Sequence, residues 1–412
     1  MSKVVVLRCE NYDLNDVYTK IKWAIDELGG IESIIPKTKK VLLKPNLVVG
    51  VAPDKAVTTH PVVFEAVLKL MIENDYNVFY GDSPGIGNPL KAAEKAGLKK
   101  VADKYSIPFG DFSKGKTIEL EGHATKKLEI VNAVFESDAI INLPKMKSHA
   151  LQRITGAIKN PFGTVVGFNK AKMHGRFQNA YNFAEMLIDL DLYLNIDLHI
   201  MDGIVAMEGN GPRNGEPTPM NTILVSRDPV ALDAVYCEMI DLEPTRLPTL
   251  LYGQKYGLGS YEDIEIIGED VKSFINKDFD IPRDAVKQTE KSKFNLVNKY
   301  VLRKPFILQN ACQKCGICVE VCPLEEKALS FKNGDKSNPP IYDYSKCIRC
   351  YCCQEMCPYK AIKTKTPFIG RIVYGLKLFQ WTLPHLIDKK KVENILPFFI
   401  SILFLFYWLS WQ

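Results

Sequence analysis

Short apolar runs rich in β-branched residues alternate with amphipathic stretches through residues 1–270. This alternation is typical of an α/β fold, in which buried strands are joined by helices that cover the sheet. The predicted strands are Val4–Leu7, Val41–Leu43, Val78–Tyr80, Ala139–Leu143, His199–Met201, Thr222–Val225 and Ile264–Ile267.

Two of the intervening stretches have a clear helical period. Over residues 62–72 the apolar positions recur every three or four residues, Pro61 suits a first turn, and Thr59 or His60 is placed to cap it. Residues 229–241 follow Asp228, which we predict as an N-cap. The pattern therefore predicts an α/β fold: a multi-stranded sheet with flanking helices.

The composition is that of a globular protein, with 412 residues of which 46% are hydrophobic and 25% charged. It excludes intrinsic disorder, a collagen-like chain and a disulfide miniprotein. The net charge of +5 is too small to indicate nucleic acid by itself, and many basic residues lie beside an apolar tail. We therefore expect no nucleic-acid partner.

Of eleven cysteines, all but Cys9 and Cys237 lie between positions 312 and 357. The run C-x2-C-x2-C-x3-C-P occurs twice, starting at Cys312 and at Cys347. One C-x2-C alone is also compatible with zinc or a redox dithiol, but the repeated run resembles bacterial two-cluster ferredoxins, in which the fourth cysteine binds the other cluster. The resemblance implies two 4Fe–4S clusters with the ligand sets Cys312, Cys315, Cys318 and Cys357 (cluster 1) and Cys347, Cys350, Cys353 and Cys322 (cluster 2).

Cys352, next to Cys353, is left over. We interpret it as a spare side chain of the cluster loop, while a ligand exchange or a redox role stays open. Thiolate ligands and clusters of this type need a reducing compartment, so we expect a cytoplasmic protein.

Polar residues follow several predicted strands, and ligands of open α/β sheets bind beyond the carboxyl ends of strands. Turns are also polar for structural reasons, so this pattern alone is ambiguous. The candidate catalytic residues are Lys44, Lys145, His149 and Asp202. The candidate substrate- or cofactor-binding residues are Asn46, Asp82, Ser83, Lys147, Lys159, Asn160, Glu208, Asn210 and Arg213.

The lysines of this set indicate an anionic ligand, a carboxylate or a phosphate, if they converge. Residues 202–215 are rich in glycine, and such a loop can present backbone N–H groups to an anion. A divalent cation is an alternative ligand, because the carboxylates Asp202, Glu208, Asp228 and Asp233 lie in or near these turns. The same aspartates could instead cap helices.

An ordered set of motifs resembles the domain of unknown function 362 family, often fused to a ferredoxin module. The matching segments are Lys44-Pro45-Asn46, residues 58–61, residues 81–85, Pro144-Lys145-x-Lys147-x-His149, Thr155-Gly156-x-x-Lys159-Asn160, residues 202–212 and residues 228–233. The resemblance implies an α/β fold distantly similar to the amino-terminal region of nickel-pincer lactate racemase. It implies no established reaction.

We predict four regions along the chain. They are an α/β segment (1–290), a linker (291–305), a small α+β ferredoxin-like two-cluster domain, called here the cluster segment (306–366), and a basic amphipathic stretch with a hydrophobic C-terminal helix (367–412). Residues 395–412 carry no charge and as a helix would reach about 27 Å, close to the roughly 30 Å of a bilayer core. We expect attachment to the cytoplasmic face of a membrane, with a helix packed on protein as the alternative.

Three functions fit these features. The first is an oxidoreductase that passes single electrons between the clusters and a small anionic substrate or cofactor at the strand ends. The second is a non-catalytic electron-transfer subunit that docks to a membrane partner. The third is a non-redox ligand-binding module or an isomerase-like enzyme with structural clusters. The sequence leaves open whether the redox partner is a protein or a small molecule.

Overall fold

The computed structural model describes residues 1–85, 87–167, 169–284, 286, 302–368 and 370. Within it, Met1–Ser292 and Pro305–Lys365 form one compact unit. The predicted hydrophobic C-terminal helix lies outside the described residues, and the four region boundaries stay predictions.

The α/β segment is built around a mixed sheet of nine strands. Its strands are β1 (Ser2–Arg8), β2 (Lys40–Pro45), β3 (Asn77–Tyr80), β6 (Ala139–Leu143), β7 (Lys145–His149), β8 (Arg153–Thr155), β9 (Leu198–Glu208), β10 (Glu216–Ser226) and β11 (Ile264–Gly268), while β4 (Gly115–Glu119) and β5 (Lys127–Val131) form a separate hairpin. The main order is β11-β1-β10-β9-β6-β2-β3, and β7 lies between β9 and β8. All seven strands predicted from the sequence are confirmed.

The sheet differs from the sequence expectation at two candidate sites. We expected the strand to end before Asp202, and this was wrong, because β9 continues to Glu208. Lys145–His149 follow the predicted strand Ala139–Leu143, and in the structure these residues form a further strand, β7, which pairs in parallel with β9. The polar side chains of both segments therefore belong to strands of the sheet and not to loops at its edge.

The helices of the α/β segment cover both faces of the sheet. They are α1 (Leu14–Glu27), α2 (Ile31–Ile34), α3 (Pro61–Glu73), α4 (Pro89–Lys95), α5 (Leu98–Lys104), α6 (Asn132–Phe135), α7 (Asn169–Arg176), α8 (Ala180–Leu194), α9 (Pro229–Met239) and α10 (Pro248–Lys255). The caps of α3 and α9 are as predicted: His60 accepts from Val62 N, and Asp228 from Val230 N and Ala231 N.

Two apolar cores lie on opposite faces of the sheet, as the alternation of side chains along each strand requires. Val4 and Val6 of β1 point into the core that contains α8 and α9. Val5 and Leu7 point into the core that contains α1 and α3. Complete burial of such a side chain contributes about 1.5–3 kcal/mol, so the two cores hold the strand ends in fixed positions.

The cluster segment consists of short elements. Its helices are α11 (Ile317–Glu320) and α12 (Cys352–Met356), and its strands are β12 (Lys304–Ile307), β13 (Leu329–Ser330), β14 (Ile341–Tyr342) and β15 (Ile362–Lys365). β12 pairs with β15, and β13 with β14. Each cysteine run thus contains one short helix.

Candidate functional site

A cavity of about 390 Å³ is enclosed by both the α/β segment and the cluster segment. This volume is in the range of small-molecule sites. We call it the lysine cavity. Its α/β wall includes Asn46, Val48, Asp82, Ser83, Gly85, Thr155, Lys159, Asn160, Phe162, Lys170, Lys172, His174 and Pro212, and its other wall includes Glu320, Val321, Cys322, Pro323, Lys327, Cys352, Glu355 and Met356.

Asp82, which follows β3, fixes the end of β2 beside this cavity. Its Oδ1 accepts a hydrogen bond from Lys44 Nζ at 2.9 Å, and its Oδ2 accepts from Leu47 N at 2.7 Å. Lys44 is fully buried and also donates to Pro45 O at 3.2 Å. Burial lowers the pKa of Lys44, although Asp82 opposes the shift. The Lys44–Asp82 ion pair therefore holds the end of β2 in place beside the cavity.

A chain of side-chain amides continues the wall. Asn46 Nδ2 donates to Asn160 Oδ1 at 2.7 Å, and Asn160 Nδ2 donates to Asn142 Oδ1 at 2.7 Å. Lys147 Nζ donates to Asn46 Oδ1 at 2.8 Å and to Val57 O at 2.7 Å. Lys147 is completely buried, and burial lowers its pKa well below the usual value. The amides therefore have fixed orientations when a ligand arrives.

Two lysines of the cavity wall have no carboxylate within ion-pair distance among the described residues. Lys159 lies over the Phe162 ring at 5.7 Å, and burial lowers its pKa. Lys170 is 9% exposed and donates to the backbone oxygen of Ser83. Burial lowers the pKa of Lys170 to about 7, with Asp82 opposing the shift and Lys44 and Lys159 adding to it. In its charged form Lys159 favours an anionic ligand, and Lys170 provides an amine beside it.

The sequence did not identify Lys170 and His174 as site residues. His174 stacks on Phe183 with ring centroids 4.3 Å apart, and burial lowers its pKa to about 3, so the ring is neutral at neutral pH. Lys170 and His174 are four residues apart on α7 and therefore lie on the same face of the helix. This spacing is a signal that could have linked the two residues, but it does not show that the face lines a cavity.

His149 connects β7 to the cluster segment. Its Nδ1 accepts from Leu151 N at 3.0 Å and Gln152 N at 3.1 Å, so in the neutral ring the hydrogen is on Nε2. Nε2 lies 2.9 Å from Glu355 Oε1, so the imidazole of the α/β segment faces a carboxylate of the cluster segment. Burial lowers the pKa of His149 to about 4. Burial alone would raise the pKa of Glu355, but His149 and Lys159 together bring it to about 2.

Lys145 and Asp202, two candidate catalytic residues, pair with each other and do not line the cavity. Lys145 Nζ lies 2.7 Å from Asp202 Oδ2 and 2.9 Å from the Tyr12 hydroxyl. The hydroxyl donates to Asp202 Oδ1 at 3.0 Å, and the Tyr12 ring stacks on His60 at 3.5 Å. Both charges are buried inside the sheet. The arrangement holds β7 against β9.

The glycine-rich loop before β10 contacts the cluster segment. Asn210 Nδ2 donates to Ile362 O at 3.1 Å, and Arg213 donates to Met356 O at 3.0 Å. In return, Gln354 Nε2 donates to Asn210 O at 2.9 Å. Glu208 instead accepts from Asp280 N at 3.0 Å. Three candidate binding residues, Glu208, Asn210 and Arg213, are therefore engaged outside the lysine cavity.

Helix α7 also meets the cluster segment closely. A Cβ atom on Gly175 would lie 3.2 Å from Pro323 Cβ and 3.2 Å from Pro323 O. Pro323 directly follows Cys322, so the end of the first cysteine run packs against the helix that carries Lys170. The absence of a side chain at position 175 permits this approach.

Cys312, Cys315, Cys318 and Cys357 line one small cavity, called here the cysteine cavity. This is the predicted ligand set of cluster 1, and four thiols around one cavity fit a 4Fe–4S cluster. All eleven cysteines are free thiols, so none is consumed by a disulfide. Cys322 and Cys352 lie at the lysine cavity instead.

In the described part of the chain, no group of three or more His, Cys, Asp or Glu side chains is placed to hold a single metal ion. The candidate carboxylates have other partners: Asp233 accepts from Ala157 N at 2.6 Å, and Asp228 caps α9. No helix among the described residues has the length and apolar character to cross a membrane.

Two solved structures are similar to this chain. One is the lactate racemase apoprotein from Thermoanaerobacterium thermosaccharolyticum, with 13% identity, a TM-score of 0.38 and coverage of 58% of this chain and 56% of that chain. The other is a protein from Thermotoga maritima, with 11% identity, a TM-score of 0.34 and coverage of 54% and 57%. This chain spans little more than half of the length of each.

Among curated proteins, a thylakoid-associated protein of Synechocystis sp. is 34% identical over 259 residues, which are 63% of this chain and 80% of that protein. The family model described as domain of unknown function (DUF362) matches residues 41–238, and the 4Fe-4S dicluster domain model matches residues 311–361. The match at 311–361 supports 4Fe–4S binding by the cysteine runs. The chain therefore belongs to the DUF362 family and carries a fused 4Fe–4S dicluster domain, as its motifs predicted.

Proposed function

We propose that this protein is an iron–sulfur oxidoreductase that passes single electrons between two 4Fe–4S clusters and a small anionic ligand in the lysine cavity. One observation carries the proposal: Cys322 of the first cysteine run lines the same cavity as Lys159 and Lys170. A ligand in this cavity is therefore next to a proposed cluster ligand.

The proposed ligands of cluster 2 are Cys347, Cys350, Cys353 and Cys322, and those of cluster 1 are the four residues of the cysteine cavity. When bound, such clusters supply one-electron redox chemistry. Cys315 is exposed, whereas Cys322 is 8% exposed and borders the lysine cavity. The arrangement suits an outer cluster that meets solvent or a partner and an inner cluster that meets the ligand.

The α/β residues would bind the ligand and exclude water. Lys159 attracts an anion, since it has no carboxylate within ion-pair distance among the described residues, although the charge of Glu355 acts on it. Asn46 and Asn160 provide oriented amides, and Phe162 and Met356 provide apolar surface. In this proposal five residues that do not line the cavity are positioning residues, because they hold the residues of its wall in place. They are Lys44, Lys145, Lys147, His149 and Asp202.

The test uses anaerobically purified, chemically reduced protein from which excess reductant has been removed. It is mixed with fractions of a small-molecule extract, and reoxidation is followed by cluster absorbance. Fast reoxidation by one fraction, lost in Lys159→Met and kept in Lys363→Met, supports the proposal. Lys363 is an exposed lysine of the cluster segment and gives the same charge change. Reoxidation that is equal in both variants, or absent, contradicts it.

A second candidate is an electron relay at a membrane. Two observations favour it: the relative named as thylakoid-associated, and the uncharged run 395–412, which lies outside the described residues. We propose that this run attaches the protein to the cytoplasmic face of a membrane. The full chain should float with lipid vesicles in a density gradient, and Leu405→Lys should reduce flotation. Equal behaviour of both proteins in the gradient contradicts attachment through this run.

A further inference from the structure

We propose that Lys170 forms an imine with the carbonyl group of a small ligand that also carries a carboxylate, such as a 2-oxo acid or an aldehyde acid. The inference rests on the proposed function only for the location of the ligand, the lysine cavity. It adds a covalent step and a substrate class.

The surroundings of Lys170 suit a nucleophilic amine. Its side chain lines the cavity but is only 9% exposed. Its described hydrogen bond is to a neutral backbone oxygen, that of Ser83. The nearby carboxylate of Asp82 is already occupied, because Oδ1 accepts from Lys44 and Oδ2 from Leu47 N. No ion pair therefore keeps the Lys170 amine protonated.

The neighbouring charges act in the same direction. Lys44 and Lys159 are close enough to disfavour a further ammonium ion, and burial disfavours it more. The resulting pKa of about 7, against 10.5 for an ordinary lysine, leaves about half of the amine neutral at pH 7. Only the neutral amine attacks a carbonyl carbon, and desolvation beside a second cation is a known way to activate lysine.

The step is balanced without an oxidant or a reductant. The lysine nitrogen forms a bond to the carbonyl carbon and gives a carbinolamine. The carbinolamine loses its hydroxyl group and one hydrogen as water, which leaves a C=N bond. Protonation of the imine nitrogen then makes the ligand carbon a better electron acceptor than the original carbonyl carbon.

Lys159 is the reason why we propose a ligand that carries a carboxylate. Its ammonium is on the same wall and has no carboxylate within ion-pair distance in the described part of the chain. A ligand carboxylate in the cavity would add a counter-charge to that of Glu355, whose charge already acts on Lys159. Attachment at Lys170 and charge pairing at Lys159 thus require both groups in one small molecule.

The chain provides a matched control on the same helix. Lys172 also belongs to α7 and lines the same cavity, but it is exposed to solvent. Other charged or titratable groups also face the cavity, so a pH profile must be compared between variants. These groups are Asp82, Lys159, Lys172, His174, Glu320, Cys322, Lys327, Cys352 and Glu355.

The experiment treats the cluster-loaded full chain with glyoxylate and sodium cyanoborohydride, which reduces an imine to a stable secondary amine. Peptide mass spectrometry then measures the adduct at each lysine at neutral pH. We expect on the order of tenfold more adduct at Lys170 than at Lys172, because the Lys170 amine is buried in the cavity beside other cations and has no ion pair that keeps it protonated. Adduct distributed over lysines according to their exposure would overturn the proposal.

Two variants test the assigned roles. Lys170→Arg should remove the main adduct while the cluster absorbance stays unchanged. Lys159→Met should lower trapping of glyoxylate at Lys170 more than trapping of acetaldehyde, which has no carboxylate, because both compounds lose the effect of the Lys159 charge on the Lys170 amine but only glyoxylate also loses a charge partner. Equal loss with both carbonyl compounds would overturn the assigned role of Lys159.

The outcome is independent of the redox proposal. Selective trapping at Lys170 without ligand-driven reoxidation of the clusters would support the imine site and contradict the oxidoreductase. Reoxidation by a fraction, with no selective trapping at Lys170, would support the oxidoreductase and contradict the imine site.

Discussion

The cysteine cavity and the lysine cavity are built in different ways. The four cysteines of the first come from one short segment, residues 312–357, and three of them from a single turn-rich run. The walls of the second come from segments far apart in the sequence, such as Asp82, Lys170 and Cys322. The first is therefore specified by local spacing, and the second exists only when the complete unit is folded.

The two cavities also differ in how their polar groups are satisfied. In our proposal the thiols of the cysteine cavity would be stabilised by the metal cluster that they hold. Lys159 and Lys170 have no carboxylate within ion-pair distance in the described part of the chain, whereas Lys44 is paired with Asp82. A charged group that is buried without compensation costs free energy. We infer that the lysine cavity is arranged for a ligand and not for stability.

The largest expected effect is the loss of one cluster without unfolding of the α/β segment. Cys315→Ala should remove one cluster and lower the iron content per chain by about half, because a 4Fe–4S cluster needs its four thiolates. The α/β segment should remain folded, as measured by far-ultraviolet circular dichroism. Full iron content in the purified variant would contradict the ligand assignment of the cysteine cavity.

The next largest effect is a loss of folding stability when the Lys44–Asp82 ion pair beside the lysine cavity is broken. Asp82→Asn should lower the free energy of unfolding by about 3–5 kcal/mol, because it leaves the buried Lys44 ammonium without a counter-charge. Denaturant unfolding followed by circular dichroism measures the change. The double variant Lys44→Met with Asp82→Leu should recover much of the loss. The control Asp54→Asn, in an exposed ion pair with Lys55, should have little effect.

Lys170 should give a pH-dependent stability. Its pKa is about 7 in the folded protein and 10.5 when unperturbed, so between these values the unfolded chain binds a proton that the folded chain lacks. Stability should therefore rise with pH in this window, by up to about 1.4 kcal/mol per pH unit.

The difference in thermal midpoint between the native protein and Lys170→Met should change in favour of the native protein from about pH 7 to about pH 10. The comparison removes the contribution of other titrating groups, which are common to both proteins. A difference that is constant over this pH range would show that the Lys170 amine is an ordinary lysine.

The smallest expected effect is on the iron content when Cys352 is replaced. Cys352→Ser should keep the full iron content, because Cys352 is the residue left over when the two runs supply four ligands to each cluster. Cys353→Ser, one position further, should lose iron. Iron analysis of both variants decides the matter, and iron loss from Cys352→Ser would make Cys352 a ligand.

The sequence predicted most of what depends on short-range order. The strands Val41–Leu43 and Ala139–Leu143, the cap Asp228 and the cysteine runs all follow from periodicity or spacing, and the structure or the family match confirms them. Five of the candidate binding residues also line the lysine cavity: Asn46, Asp82, Ser83, Lys159 and Asn160.

The remainder depends on long-range contacts. Asp202 looked like a strand end, because glycine follows it, but its partner Lys145 lies on the neighbouring strand β7 and the pair is buried between them. Asn210 and Arg213 looked like ligand contacts, because their loop is rich in glycine, but they bind the backbone of the cluster segment. No local pattern distinguishes an anion from a carbonyl oxygen as the partner of such residues.

The contact between Gly175 and Pro323 bears on whether the cluster segment could be replaced by the cluster segment of another protein. A two-cluster segment taken from a free-standing ferredoxin would bring its own cysteines and prolines, but its outer surface would be adapted to water. Here that surface must accept helix α7 so closely that a methyl group at position 175 would lie 3.2 Å from Pro323, and the neighbouring atoms would have to shift. We therefore expect a cluster segment from another protein to fit this α/β segment less well than its own does.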